Sequence, residues 1–408
     1  MRVLIVHNRY RSAAPSGENR VVDQESAALT AAGHDVEHFE QHSDDIELWS
    51  PARKAALPAQ VVWNRAARHA LSGVLRRFRP DVVHVHNTFP LLSPSVLYAC
   101  RDAEVPIVAT IHNYKLMCAS GDFFRAGKVC HDCASGLPVS ALAHRCYRGS
   151  ALATLPVVAG AVAHRRAWRS LVSAYIFISA SQRQLLSGLH LDPARMFVKA
   201  NLVPCAASPR TARQRRVAYV GRLDAAKGVP LLLEAWDRYR ATAGDDALRL
   251  TIAGSGPLAE HVSQWAESRP SVELAGLLDK RQCFDLLAGS RAVLLPSQWE
   301  ETFGLVVVEG MAVGTPAVAA AHGSFPELVA DGVDGALFRP GDPADLARVL
   351  HDVDAYPHRF GAYGQRARST YEQRFEPAQN ISQLVDIYQF ATRYPASAEA
   401  PRAEPVVG

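Results

Sequence analysis

No stretch of this 408-residue chain reaches the roughly 18 to 20 uninterrupted apolar residues that span a bilayer. The nearest, Ala151 to Val162, is broken by Pro156 and followed by His164, Arg165 and Arg166. Charge of one sign is also scarce. A formal net charge of +4 gives a chain of this length no general reason to seek nucleic acid. No internal repeat of fixed period is visible. No G-x-G-x-x-G follows the first apolar run, and Gly254-Ser-Gly256-Pro-Leu lacks the third glycine, which counts against a dinucleotide-dependent dehydrogenase. The sole D-x-D, Asp352-Val-Asp354, ends a polar helical pattern far from any strand end, so it reads as surface and no catalytic divalent metal is expected. Met1-Arg-Val-Leu-Ile-Val-His7 reaches polar residues too early for a secretory signal, so a cytoplasmic protein is expected. Seven cysteines in such a protein argue for thiols or metal ligands over structural disulfides.

What is present suits two ordinary globular domains: 48% of residues are hydrophobic and 21% charged. Apolar runs at Val3 to Val6, Val36 to Phe39, Val82 to Val85, Ile107 to Ile111 and Ala174 to Ile178 alternate with helical patterns such as Arg20 to Ala32. A second series runs through Val217 to Val220, Leu248 to Ala253, Val272 to Leu274, Ala292 to Leu295, Ala317 to Ala319 and Ala336 to Phe338. Such alternation predicts parallel strands joined by crossover helices, in two doubly wound α/β domains. The expected domains are 1–204 and 217–370, joined by a linker over 205–216 rich in proline, small residues and charge. A helical pattern over 371–395 is expected to lie back on the first domain, ahead of a disordered tail over 396–408.

The segment from Leu294 to Pro316 reads as a strand, a loop holding Glu301 and Gly304, a helix carrying Glu309, and a turn into another strand. Two carboxylates so placed can face a pocket at the carboxyl ends of the strands. Gly304 would leave the amides at the helix start open to phosphate. Glu301 and Glu309, with Phe303-Gly304 between them and Gly314-Thr-Pro316 after them, resemble the signature of the large family of retaining GT-B glycosyltransferases that includes sucrose synthases and phosphatidylinositol mannosyltransferases. The resemblance implies two Rossmann-like domains facing a central cleft. It makes Glu301 a ligand of the transferred sugar and Glu309 a ligand of the nucleotide ribose, with Phe303, Gly304 and Leu305 beside the donor. The alternative is a pair of solvated helix-face glutamates.

Val217-Ala-Tyr-Val-Gly221-Arg222-Leu-Asp224-Ala-Ala-Lys227-Gly228 is similar to the family's opening of the second domain, and Gly254 to its nucleotide-pocket turn. The resemblance assigns Gly221, Arg222 and Lys227 to the donor diphosphate. Two fixed cations there would stabilise charge that grows on the leaving group in the transition state; the alternative is ordinary surface charge. In the first domain, Pro15-Ser-Gly17-Glu18-Asn19-Arg20 stands where the family has a glycine-rich phosphate loop, though with one glycine instead of two, which assigns Gly17. His112 matches a family histidine near the reacting carbon, followed here by Asn113 instead of Asp. For His112, and more so for His86, the alternative is a satisfied core histidine.

Cys118, Cys130, Cys133 and Cys146 lie in an irregular insert over about 114–150. A C-x2-C pair flanked by single cysteines can close a tetrahedral structural zinc site, ahead of buried thiols or a disulfide. Basic residues collect over Arg65 to Arg79 and His164 to Arg169, with Trp63 and Trp168 nearby. A solvated helix face is the first reading and peripheral contact with the inner face of a membrane the second. Together the resemblance implies a metal-independent retaining hexosyltransferase without organic cofactor, taking a UDP-sugar first and a GDP-sugar next. The acceptor is a hydroxyl on a glycan, lipid-linked sugar or small metabolite. The rivals are an epimerase or phosphorylase on the same fold and a non-catalytic sugar-nucleotide or zinc-binding protein.

Overall fold

The computed structural model describes residues 1–12, 16–205, 207–210, 212–244 and 247–396. The strands are β1 (Arg2–Arg9), β2 (Asp35–His42), β3 (Val82–Asn87), β4 (Ile107–Ile111), the short pair β5 (Phe124–Arg125) and β6 (Lys128–Val129), β7 (Ala174–Phe177) and β8 (Met196–Val198). Then follow β9 (Arg216–Val220), β10 (Arg249–Ala253), β11 (Val272–Gly276), β12 (Ala292–Leu295), β13 (Ala317–Ala320) and β14 (Gly335–Phe338). Apart from the hairpin β5–β6, they form two parallel six-stranded sheets, ordered β2-β1-β3-β4-β7-β8 and β11-β10-β9-β12-β13-β14. Every residue of β3, β4, β7, β12 and β13 is buried, as strands covered on both faces must be, and this is why β4, β7, β12 and β13 read as nearly continuous apolar runs.

The strand order reverses between β1 and β3 in the first sheet and between β9 and β12 in the second. In open parallel sheets the loops at the carboxyl ends of such neighbouring strands part to leave a crevice, where ligands bind.

Two compact units result: Met1–Gly121 with His131–Leu202 and Asn380–Gly408, and Asp122–Cys130 with Val203–Gln379. The first lacks 122–130, and the last described helix lies on it, where the sequence pattern put it. The pattern over 371–395 is not one helix. Pro357–Arg374 ends before Pro377, and Pro377–Arg393 begins anew and lays Ile381, Leu384, Ile387 and Tyr388 onto Val3, Ile5, Val82 and Ile176 of the first sheet. The second unit's core joins Trp236 and Tyr239 to Leu232, Leu250, Leu294 and Leu350. The tail over 397–408 lies outside the described residues.

The linker and the D-x-D segment each hold a partly buried charged contact. The linker is anchored at Arg213, whose guanidinium donates to the carbonyls of Ala288 (3.1 Å), Ser290 (2.9 Å), Val313 (3.0 Å) and Gly314 (2.7 Å). One cation thus caps the carboxyl ends of two helices, Lys280–Ala288 and Leu305–Ala312. Asp354 is not a surface residue: it accepts from Arg215 and Tyr239, each at 2.7 Å, and holds Arg291 at 3.5 Å. Asp352 is half-buried and pairs with Arg348 and Arg359.

Candidate functional site

In the second unit, three loops meet at the carboxyl edge of the sheet, after β9, β10 and β12. Their backbones touch where side chains would not fit. A Cβ on Gly228, at φ +74°, would lie 1.7 Å from the Pro296 carbonyl oxygen, and one on Gly254, at φ +142°, would lie 1.8 Å from that of Gly221. Leu223 donates its amide to Ser255 (2.9 Å) and Gln298 to Ala226 (2.7 Å). This framework sets Lys227 against Glu301 in an ion pair, with the ammonium 5.0 Å above the Trp299 ring. The Asp224 carboxylate accepts from the Lys227 amide (2.8 Å) and pairs with Arg222, whose side chain is otherwise largely exposed.

Glu301 is held from the next loop as well: Ser324 donates to its carbonyl (3.0 Å), and the His322 ring donates to the Ser297 carbonyl (2.7 Å). Glu301 and Glu309 are each 5% exposed, which removes the reading of two solvated glutamates. Phe303 is buried and Leu305 half-buried at the helix start. Gly304 has a reason other than the one read from sequence. At φ +85° its Cβ would lie 2.8 Å from the Phe325 ring, so the glycine first serves packing and a left-handed backbone. Gly221 is free of that constraint in φ and closes on the Tyr219 ring, whose hydroxyl donates to the Arg222 carbonyl (2.7 Å).

In the first unit the strand period places polar residues on one sheet face as the strands near their carboxyl ends. His7 follows Ile5, His84 and His86 follow Val82, and Thr110 and His112 follow Val108. All of these are buried. His112 Nε2 lies 2.9 Å from His86 Nδ1, and burial holds His112 down at about 3. His84 is bonded to Tyr388 (2.8 Å) and Thr110 (2.7 Å). His7 is bonded to Asn19 (2.9 Å) and held at about 4 by burial. Beside it, burial pushes the Glu18 carboxyl up to about 8, although Tyr10 and Asn113 each donate to it at 3.3 Å. A cavity of about 90 Å³ is lined by His86, His112, Asn113, Lys115, Val157 and Trp168, among others. Gly17 is the first residue of the helix Gly17–Ala31, capped by Ser16, and Pro15 lies outside the described residues.

Glu25, His84 and His86 are the one set of His, Cys, Asp or Glu atoms found converging within 4.8 Å among the described residues. Their chemistry is poor for a cation: both His84 nitrogens are hydrogen-bonded, and buried Lys199 sits 2.7 Å from Glu25. Of the four cysteines of the insert, Cys118 and Cys133 are buried and Cys130 and Cys146 half-buried. Of the basic clusters, Arg68 and Arg77 are spent on Asp102 and Glu37. Trp168 is buried and Trp63 stacks on His164, so neither is an interfacial tryptophan.

Comparison with known proteins follows the division between the sheets. Residues 214–353 match the family described as glycosyl transferases group 1, and residues 16–201 match the glycosyl transferase 4-like domain. A glycogen synthase of Mycobacterium tuberculosis is 30% identical over 414 aligned positions, 91% of each chain. A phosphatidyl-myo-inositol mannosyltransferase of Mycobacterium leprae is 25% identical over 93% of this chain and 94% of its own. Among solved structures, Anabaena HepE in complex with UDP-glucose superimposes with a TM-score of 0.67 at 17% identity, covering 95% of this chain and 99% of that one.

Proposed function

The chain belongs to the group 1 glycosyltransferases, and from that membership we propose that it moves a sugar from a nucleotide-sugar donor to a hydroxyl acceptor and retains the anomeric configuration. A UDP-sugar is the first choice of donor and a GDP-sugar the second. The observation that carries the reading is the Lys227–Glu301 pair at the strand-order reversal of the second sheet.

An arriving diphosphate competes for the Lys227 ammonium and so releases the Glu301 carboxylate to accept hydrogen bonds from the sugar. As the bond to the anomeric carbon breaks, negative charge grows on the diphosphate, and Lys227 and Arg222 stabilise it more than they stabilise the ground state. Those two cations fill the part a divalent metal would otherwise play. Glu309 takes the ribose, Gly17 lies with the donor phosphate, His112 stands near the reacting carbon, and the leaving phosphate accepts the acceptor's proton. Calorimetry with UDP-, GDP- and ADP-sugars, followed by NMR of the product's anomeric proton, tests the reading. A product of inverted configuration, or binding of none of the sugars, overturns it.

Two finer assignments accompany it. Cys118, Cys130, Cys133 and Cys146 hold one structural zinc, since four cysteine thiolates with a C-x2-C pair among them are the donor set of a closed tetrahedral site. Elemental analysis of protein purified without added metal should find about one zinc per chain; none, with all four thiols reactive and stability normal, refutes it. Peripheral membrane contact belongs to the helix Ala151–Ala163 in place of the tryptophans. Leu152 (84% exposed), Leu155 (52%) and Val162 (38%) form an apolar stripe on it, with Arg148 and Arg166 exposed beyond its ends. Co-sedimentation with anionic vesicles, lost in Leu152→Ser with Leu155→Ser, is the expected result.

A further inference from the structure

The polar atoms around His112 outnumber the hydrogens they share. His86 Nδ1 and His112 Nε2 are 2.9 Å apart, with their rings stacked at 5.2 Å and 19°. Both rings are buried and held below the usual histidine range, so both are neutral and one hydrogen lies between them. If His112 donates it, the other nitrogen of His112, Nδ1, is bare. If His86 donates it, His112 carries its hydrogen on Nδ1 instead.

The far side of His86 decides between them. His86 Nε2 is buried without a partner, and so is Glu25 Oε2. The Glu25 carboxylate lies within 4.8 Å of a His86 nitrogen. Competing donors are engaged elsewhere: His84 is bonded at both nitrogens, and Lys199 is bonded to Glu25 Oε1 (2.7 Å) and the Ala200 carbonyl (3.2 Å). An N–H on His86 Nε2 attracts the carboxylate, whereas a lone pair there repels it in a low-dielectric interior.

We propose that Glu25 and His86 are positioning residues that fix the tautomer of His112, with hydrogen on Nε2 and Nδ1 left as a bare acceptor. His112 lines the cavity of the first unit. In this form it meets a sugar or acceptor hydroxyl by accepting its hydrogen, and it delivers no proton to the leaving phosphate. The use made of His112 rests on the glycosyltransferase reading; its tautomer does not.

The test is two-bond proton–nitrogen correlation NMR of ¹⁵N-histidine-labelled wild-type protein near neutral pH, with His112 assigned from its absence in His112→Gln. The expected spectrum has Nε2 in the protonated range and Nδ1 in the unprotonated range. The opposite assignment in the wild type overturns the proposal without need of a variant. Glu25→Leu with Lys199→Met removes both buried charges together, and the His112 signals should then shift toward the Nδ1-protonated form. A folded double variant with unchanged signals also overturns it. Normal tautomer with no sugar transfer would count against the proposed activity alone.

Discussion

Glu18 and His7 face each other 4.0 Å apart, and burial pushes them in opposite directions. Glu18 rises from 4.5 to about 8, so between those values the folded state holds a proton that the unfolded state has lost. Its contribution therefore falls as pH rises, by at most about 1.4 kcal/mol per unit. His7 and His112 drop to about 4 and 3, so below 6.5 the unfolded state takes up protons that the folded state refuses, and stability falls as pH is lowered. Glu18→Gln removes the first effect: urea unfolding should show the variant gaining on the wild type from pH 5 to 8, and parallel profiles would contradict this. Across the other sheet, Lys227→Ala should cost roughly 2 to 4 kcal/mol of barrier with the fold kept. Glu309→Ala should weaken free nucleotide binding, and Glu301→Ala only that of the nucleotide sugar. Calorimetry distinguishes the two, and the reverse pattern would exchange their roles. Glu301 and Glu309 were readable in the sequence because one loop and one helix carry both. Glu25, His86 and Lys199 were not, because three distant segments bring them together and no spacing records it.

Strands were legible wherever both faces are covered, since β4, β12 and β13 are apolar at nearly every position. β8 was not: Met196–Val198 is three half-buried residues at a sheet edge, too short to show any period. The hairpin β5–β6 turns on Ala126 and Gly127, both at positive φ, and carries no apolar alternation. Arg213 reads as linker charge because nothing local distinguishes an arginine that caps two helices from one in water. Arg213→Met should destabilise the second unit by roughly 2 to 4 kcal/mol, because buried carbonyls lose a charged donor. Thermal melting of the variant measures this, and an unchanged midpoint would refute the cap. Gly254→Ala should separate the β9 and β10 loops and abolish nucleotide binding, since its Cβ has no room beside the Gly221 carbonyl.

The helix Pro377–Arg393 is the last described helix, yet its apolar side chains complete the core of the unit that begins at Met1. Truncation after residue 376 should leave the second unit folded while the first loses its cooperative transition. Two-wavelength calorimetric and fluorescence melts check this, and a single unchanged transition would argue against it. The feature also orders events during synthesis. Residues 203–379, the body of the second unit, leave the ribosome before the helix that the first unit needs. At about 5 to 20 residues per second, the first sheet waits roughly 10 to 35 s with Val3, Ile5 and Ile176 uncovered. The half of the molecule made first is finished last, so a nascent chain of this enzyme is a client for chaperones until the helix Pro377–Arg393 emerges.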